Sequence, residues 1–162
     1  RKGVNLGIGV DHYREKIARI HHHGMMVAGT FIFGNDGDGP DIFRRTSRFV
    51  VEAGVDLAHF GILVPDPGTD LYERLRNEGR LLYTSYPDDY RRHHLGQALF
   101  VPKAMSPQQL ETGAQTAIQA VSRWPVLLRR AWRTWRDTGN GFAALIALAW
   151  TRSGLRARIA DT

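Results

Sequence analysis

The chain contains no cysteine among its 162 residues. This absence excludes a disulfide framework, a thiolate nucleophile, a cysteine-ligated zinc site and an iron–sulfur cluster held by these residues alone. Long apolar runs are missing too, since the longest, from Phe142 to Trp150, has nine residues and a membrane-crossing helix needs about 20. We therefore do not expect the chain to span a membrane by itself.

Acidic residues are scarce in one part of the chain only. The whole chain has 22 basic and 16 acidic side chains, which gives a net charge of +6. Residues 1–122 carry 14 of each kind, whereas residues 123–162 carry 8 basic and 2 acidic side chains. An anionic partner is thus expected for the last segment alone. No signal segment follows Arg1, so we expect a cytoplasmic protein whose start has been processed or excised.

The first half of the chain alternates between helical and strand patterns. Apolar spacing predicts helices over 11–23, 41–53 and 70–77, each followed closely by a glycine. Continuous apolar runs over 25–34 and 55–64 are typical of strands buried on both faces of a parallel sheet. This order indicates right-handed βαβ units, and two parallel strands are too few to stand alone. The chain is therefore expected to be half of a larger fold or to share a sheet with other strands.

The second half is predicted to be helical. Beyond an irregular aromatic stretch that begins near Tyr83, helices are expected over 106–124, 126–136 and 142–150. Pro125 is expected to separate the first two. The three consecutive histidines at 21–23 are interpreted as a solvated helix end, because neighbouring helical residues fan out and cannot converge on one metal ion.

Several motifs occur together in an order found in one known family. They are Lys2-Gly3-Val4-Asn5, Tyr13 through Ile20-His21-x-His23-Gly24, Phe31-Ile32-Phe33-Gly34, Asp41-Ile42-Phe43-Arg44-Arg45-Thr46 and Pro65-x-Pro67-Gly68-Thr69-x-Leu71-Tyr72. Together they resemble the C-terminal half of a radical S-adenosylmethionine protein of the cobalamin-binding-domain class. The helical extension is similar to that of the hopanoid and bacteriochlorophyll biosynthesis relatives.

This resemblance implies an α/β fold. Residues 1–82 would form the C-terminal part of a partial six-unit, TIM-like β/α barrel with parallel strands, and residues 83–162 an all-α extension. In the family, a Cys-x-x-x-Cys-x-x-Cys loop ligates a four-iron four-sulfur cluster that binds and reductively cleaves S-adenosylmethionine. These residues contain no such loop. The parent protein would be the enzyme, and the chain alone, lacking the N-terminal half of the barrel, is expected to be inactive.

The implied function is radical-based modification of a small-molecule substrate. Cobalamin-dependent methylation and ring chemistry on a lipid or tetrapyrrole-like substrate both stay open, and so does the use of cobalamin. Within this activity the chain would supply the adenine side of the S-adenosylmethionine site.

Site candidates follow from the ends of the two predicted strands, where loops of β/α folds converge on one mouth. The resemblance assigns adenine contacts to Ile32, Phe33, Gly34, Leu63, Val64 and Pro65. Polar substrate candidates are Asp36, Asp38, His59 and Asp66, which predict an acidic mouth. The alternative for the first strand end is that Phe31 and Phe33 belong to the hydrophobic core and contact no ligand. A calcium loop is disfavoured because Pro40 replaces its third ligand.

The basic tail supports a second hypothesis, a non-catalytic helical module that binds an anionic membrane surface or a protein partner. Its candidate residues are Arg129, Arg130, Trp132, Arg133, Trp135 and Arg136, which mix tryptophan and arginine at helical spacing. The alternative is that the tryptophans pack on the barrel and the arginines are solvated. Nucleic acid is not the expected partner.

Overall fold

The structure is a computed structural model that describes residues 10–85 and 96–149. Its elements are α1 (Val10–His22), β1 (Ala28–Phe33), α2 (Ile42–Ala53), β2 (Leu57–Ile62), α3 (Asp70–Asn77), α4 (Pro107–Ser122), α5 (Trp124–Thr138) and a further helix α6 over 141–149. The strands β1 and β2 form a two-stranded parallel sheet. The mixed α/β class is therefore confirmed. No helix in these two described ranges is long and apolar enough to cross a membrane.

Helix boundaries follow local signals in the sequence. Thr69 caps α3, since its hydroxyl oxygen accepts a hydrogen bond from the Tyr72 backbone N–H at 3.2 Å. Pro125 lies inside the first turn of α5, where its missing N–H costs nothing. The expectation that Pro125 precedes this helix was therefore wrong by two residues. Gly139 ends α5 with a φ of 67°, a conformation that glycine adopts without strain.

The chain divides into two compact units. Unit 1 comprises the described residues within Arg1–Gly29, Arg48–His59 and Ala120–Thr162, and unit 2 comprises those within Thr30–Ser47 and Phe60–Gln119. The boundary between them falls inside α2, α4 and both strands. Each unit therefore draws on segments that are far apart in the sequence.

Unit 1 is built around the packing of α1 on α5. Its buried apolar side chains include Ile17, Val50, Ala53, Val121, Leu127 and Ala131. Two arginines of α5 reach into this unit. Arg130 donates to the carbonyls of Val55 and Asp56, and Arg133 donates to the carbonyls of Val51 and Glu52. These bonds satisfy backbone acceptors at the end of α2 and just beyond it.

Unit 2 has an aromatic core. The ring of Phe33 lies 4.9 Å from that of Phe43 and stacks at 5.8 Å on that of Phe60. Gly113 of α4 is in close contact with Phe43, and a Cβ at this position would overlap the Phe43 ring. Other buried members of this core are Leu75, Phe100, Met105 and Leu110. An isolated antiparallel bridge joins Leu81 to Phe100.

The strand β1 differs from its prediction. Ala28, Thr30 and Ile32 are exposed, whereas Phe33 is buried. Because side chains alternate between the two faces of a strand, β1 has one covered and one open face in the described part of the chain. Of the two faces predicted to be buried, the described part of this chain therefore covers one, which includes Phe33.

Candidate functional site

The two strand ends lie side by side in unit 2. The backbone N–H of Leu63 donates to the carbonyl of Phe33 at 2.8 Å, one residue beyond β2. The carboxyl ends of the two parallel strands therefore open at the same edge of the sheet, which is where β/α folds bind their ligands.

The six adenine candidates at this edge differ in accessibility. Ile32 is 52% exposed, and Leu63 and Val64 are half-buried. The other three are buried: Phe33, Gly34 and Pro65. The Phe33 side chain belongs to the aromatic core, so only its backbone can reach a ligand. The geometry thus leaves Ile32, Leu63 and Val64 as the accessible side chains of the set.

Gly34 is required where it stands. Its φ is +103°, and a Cβ there would lie 3.1 Å from both Leu110 and Phe100. Any other residue would be strained and crowded. This glycine therefore lets the chain leave β1 directly beneath α4 and turn into the following loop.

Asp38 holds that loop in shape. One carboxylate oxygen of Asp38 accepts hydrogen bonds from the backbone N–H groups of Gly34 and Asn35, both at 2.9 Å. The Asn35 side chain donates to the carbonyl of Ile32 at 3.2 Å. These bonds engage the Asp38 carboxylate with the backbone, so its observed role is to fold the turn after β1.

Asp36 lies among three cations. Its carboxylate is 2.9 Å from Arg80, 3.1 Å from Arg74 and 3.3 Å from Lys103. Arg80 also pairs with Glu78 at 2.7 Å and donates to the carbonyl of Val101. Burial alone would raise the pKa of Asp36, but hydrogen bonds from Arg80 and Lys103 and the charge of Arg74 lower it below its usual value.

This cation cluster adds positive charge to the mouth that the sequence predicts to be acidic. The carboxylates of Asp36, Asp38, Asp66 and Glu78 still outnumber its three cations. Three positive side chains face two carboxylates, Asp36 and Glu78, so the group carries one net positive charge. Sequence reasoning missed its cations because Arg74 lies in α3, Arg80 just after it and Lys103 before α4, with no local motif that joins them to Asp36. Asp66 is exposed at the end of the next loop, where its carbonyl accepts the Thr69 hydroxyl at 2.7 Å.

His59, the remaining polar candidate, is exposed on β2 and belongs to unit 1. The neighbouring acid Asp56 is instead bonded to His21, whose Nε2 lies 2.7 Å from a carboxylate oxygen. The same oxygen accepts the Val27 N–H at 2.7 Å, and the Thr134 hydroxyl donates to the other oxygen. All three polar side chains in this network are at least 97% buried.

The position of His21 was therefore predicted wrongly. Among the three histidines His21 is buried, whereas His22 and His23 are exposed as expected. Ile17 was the available signal, because it is buried and lies one helical turn before His21 on the same face of α1. A cavity of about 300 Å³ adjoins this network and is lined by Ala18, His21, His22, Ala53, Arg133 and Asp137. Its charged lining groups are paired with one another, since Arg133 bonds Asp137 at 3.3 Å.

The basic residues of α5 divide into two sets. Arg130 is 6% exposed, and burial lowers its pKa, which the charge of Asp56 opposes. Arg130 was predicted to be a surface residue, and this prediction was wrong. Its guanidinium is buried because it donates hydrogen bonds to backbone carbonyls. Arg133 is half-buried for the same reason. Arg129, Trp132, Trp135 and Arg136 are exposed.

Comparison with known proteins finds distant relatives. No family model matches the chain. It is 28% identical over 110 residues to a bacteriochlorophyllide d C-12(1)-methyltransferase of Chlorobaculum tepidum. The aligned residues are 67% of the chain and 23% of that enzyme. The chain is also 23% identical over 149 residues to an anaerobic magnesium-protoporphyrin IX monomethyl ester cyclase of Cereibacter sphaeroides. The aligned residues are 92% of the chain and 22% of that enzyme. The chain spans less than a quarter of the length of either relative. The expected similarity to bacteriochlorophyll biosynthesis proteins is therefore confirmed only as a distant relationship over part of their length.

Proposed function

We propose that this chain is part of a radical S-adenosylmethionine iron–sulfur enzyme that modifies a tetrapyrrole-like substrate. The similarity to a bacteriochlorophyllide methyltransferase and a protoporphyrin cyclase carries the proposal, because both names describe tetrapyrrole chemistry. A tetrapyrrole is therefore favoured over a lipid substrate. Methyl transfer, with or without cobalamin, and ring closure are both within the proposed class.

The proposed architecture is the end of a six-unit β/α barrel over residues 1–82, followed by a helical extension over residues 83–162. The parallel pairing of β1 and β2 and the open face of β1 support this proposal. In a barrel, that open face would line the interior, opposite side chains of strands from the N-terminal half of the barrel. The N-terminal half is thus the proposed structural partner of the chain.

The proposed adenine site uses the three accessible side chains at the strand ends. Ile32, Leu63 and Val64 would contact the adenine ring, which apolar side chains can enclose. Phe33, Gly34 and Pro65 would hold the backbone in place beneath them. When bound and reduced, S-adenosylmethionine supplies the radical chemistry of this class. The chain has no cysteine, so residues outside it would have to ligate the cluster and the chain alone would be inactive.

The polar residues at the strand ends have distinct proposed roles. Asp36 and Asp38 are engaged in the loop and would shape the mouth rather than meet the substrate directly. Arg74 and Lys103 have half-exposed side chains beside them, and an anionic group of a substrate would meet these cations first. Asp66 and His59 are exposed and stay candidates for substrate contact.

The proposal is tested on the full-length protein that contains this chain. Its coding sequence ahead of Arg1 should encode a Cys-x-x-x-Cys-x-x-Cys motif. The anaerobically reconstituted protein should show four-iron four-sulfur absorption and should cleave S-adenosylmethionine after reduction. Absence of the motif would remove the assignment.

The adenine site has its own test. Ile32→Asp should weaken S-adenosylmethionine binding about tenfold, because it places a charge where an apolar contact is proposed. Met25→Asp is the matched control, since Met25 is 53% exposed and belongs to unit 1. Equal affinities of the two variants, measured by calorimetry on the reconstituted protein, would exclude Ile32 from the site.

A further inference from the structure

One face of α5 exposes an apolar stripe. The stripe consists of Trp124, Leu128, Trp132 and Trp135, whose spacing of four, four and three residues places them along one side of the helix. Each of these side chains is between 52% and 55% exposed. Three indole rings in a row on the outside of a 15-residue helix form a surface that water solvates poorly.

The stripe is not part of the buried core of unit 1. The helix α5 already buries a different face, formed by Leu127, Arg130, Ala131 and Thr134. Its apolar surface is therefore wider than the part that the unit covers. The next helix continues the pattern, because Phe142 is 72% and Leu145 is 66% exposed on α6. Gly141, where α6 begins, lies beside the Trp135 ring.

Positive charge accompanies the stripe. No acidic residue occurs between Glu111 and Asp137, whereas five arginines occur between residues 123 and 136. Arg130 and Arg133 turn toward backbone carbonyls, so Arg123, Arg129 and Arg136 are the exposed members. The Arg136 guanidinium lies 4.8 Å from the centre of the Trp132 ring. Arg136 also pairs with Asp137, the one acid of α5, at 2.7 Å. The exposed surface of α5 therefore combines indoles with an excess of arginines.

We propose that α5 docks in the plane of an anionic membrane surface. The indoles of the stripe would lie at headgroup depth, and the exposed arginines would bind lipid phosphates. A bilayer is favoured over a protein partner by the excess of positive charge, since Arg123 and α5 together carry five arginines and one acid, Asp137, whereas a protein surface carries mixed charges. The inference stands on α5 alone and does not depend on the proposed enzyme activity.

Vesicle binding of the full-length protein tests this docking. The probe is phosphatidylcholine vesicles with about one-third phosphatidylglycerol, compared with phosphatidylcholine alone, in a co-sedimentation assay at low salt. The Trp132→Ala/Trp135→Ala double variant should bind at least about tenfold more weakly. The Arg129→Gln/Arg136→Gln double variant should lose about tenfold or more at low salt and less at high salt.

Matched controls separate the stripe from general charge. Arg45→Gln/Arg48→Gln removes two equally exposed arginines from α2, with side chains 69% and 72% exposed, and should bind like the unaltered protein. Circular dichroism should be unchanged in every variant because the altered side chains are on the surface.

Three results would overturn the proposal. The first is equal binding to neutral and anionic vesicles, or none to either. The second is an effect of the α2 control as large as that of the α5 variants. The third is a concentration-dependent oligomer that the tryptophan variant abolishes while vesicle binding persists, which would assign the stripe to a protein contact.

Discussion

The two units each contain a carboxylate with several partners, and the two carboxylates differ in burial and in the kind of group that stabilises them. Asp56 in unit 1 is 3% exposed and is bonded by His21, Thr134 and the Val27 N–H. Asp36 in unit 2 has a side chain that is 26% exposed and is surrounded by three cations. Asp56 is thus stabilised by directed hydrogen bonds in the protein interior. Asp36 is stabilised by neighbouring positive charges and remains in contact with water.

The difference separates structure from surface chemistry. A buried carboxylate with specific donors fixes the positions of the segments that supply those donors, and removing it leaves them unsatisfied. A carboxylate among cations at the surface balances charge, and its loss is partly compensated by solvent. Asp56 is therefore expected to govern stability, whereas Asp36 is expected to govern the charge of the mouth.

The largest effect is expected from Asp56→Ala. It would leave the buried His21 ring, the Thr134 hydroxyl and the Val27 N–H without their acceptor, and should cost about 3–5 kcal/mol of folding free energy. Urea denaturation measures the loss, and hydrogen–deuterium exchange should place it in peptides of unit 1. Asp41→Ala is the control, since the Asp41 side chain is 53% exposed. A loss no larger than that of the control would show that the buried network contributes little.

Arg130→Gln should have the next largest effect. Arg130 donates to three backbone carbonyls within unit 1, so its loss should cost about 2–3 kcal/mol. The neighbouring Arg129→Gln should leave thermal stability within about 0.5 kcal/mol of the unaltered protein, because Arg129 is exposed. Equal melting temperatures of the two variants would contradict the division of α5 into inward and outward arginines.

A smaller effect is expected from Asp36→Ala. The change removes the shared partner of Arg74, Arg80 and Lys103 and should cost about 1 kcal/mol at low salt. Because half-exposed charges are screened, the difference from the unaltered protein should shrink as salt is added. Denaturation at two salt concentrations measures this, and a cost that does not change with salt would mean that Asp36 acts through packing.

The smallest effect concerns acid. The folded pKa of Asp36 lies below its ordinary value, so this carboxylate stabilises the fold above about pH 4 and loses that contribution as the pH falls through the folded pKa. Asp36→Asn should therefore flatten the fall in stability below about pH 4 by some tenths of a kcal/mol. Asp41→Asn, which removes a carboxylate whose side chain is 53% exposed, is the control for the loss of one surface charge. The measurement is the free energy of unfolding as a function of pH. Parallel curves for the unaltered protein and both variants would contradict the lowered pKa of Asp36.

Much of the fold could be predicted because its signals are local. The predicted bounds of α3 match Asp70–Asn77, and both strands lie inside their predicted runs. Thr69, which caps α3, is a residue type that favours this position. These features depend on neighbours within a few residues, which periodicity and capping rules can capture.

The electrostatics could not be predicted because their partners are distant. Arg130 lies 74 residues from Asp56, whose carbonyl it binds, and Arg80 lies 44 residues from Asp36. No local pattern records such pairs, so Arg130 was assigned to the surface and the cations around Asp36 were not identified. His21 was the avoidable error, because its helical phase with Ile17 marks the buried face of α1.

The bonds to Asp56 also set an order for folding during synthesis. They join Asp56 to His21 and Val27, which leave the ribosome before it, and to Thr134, which follows 78 residues later. Unit 1 can therefore close only after α5 has been made. Until then the face of α1 that packs on α5 is uncovered, and α2 contacts this helix through Phe49 and Glu52. We therefore expect this unit to form late, because contacts between distant segments must wait for the whole intervening chain.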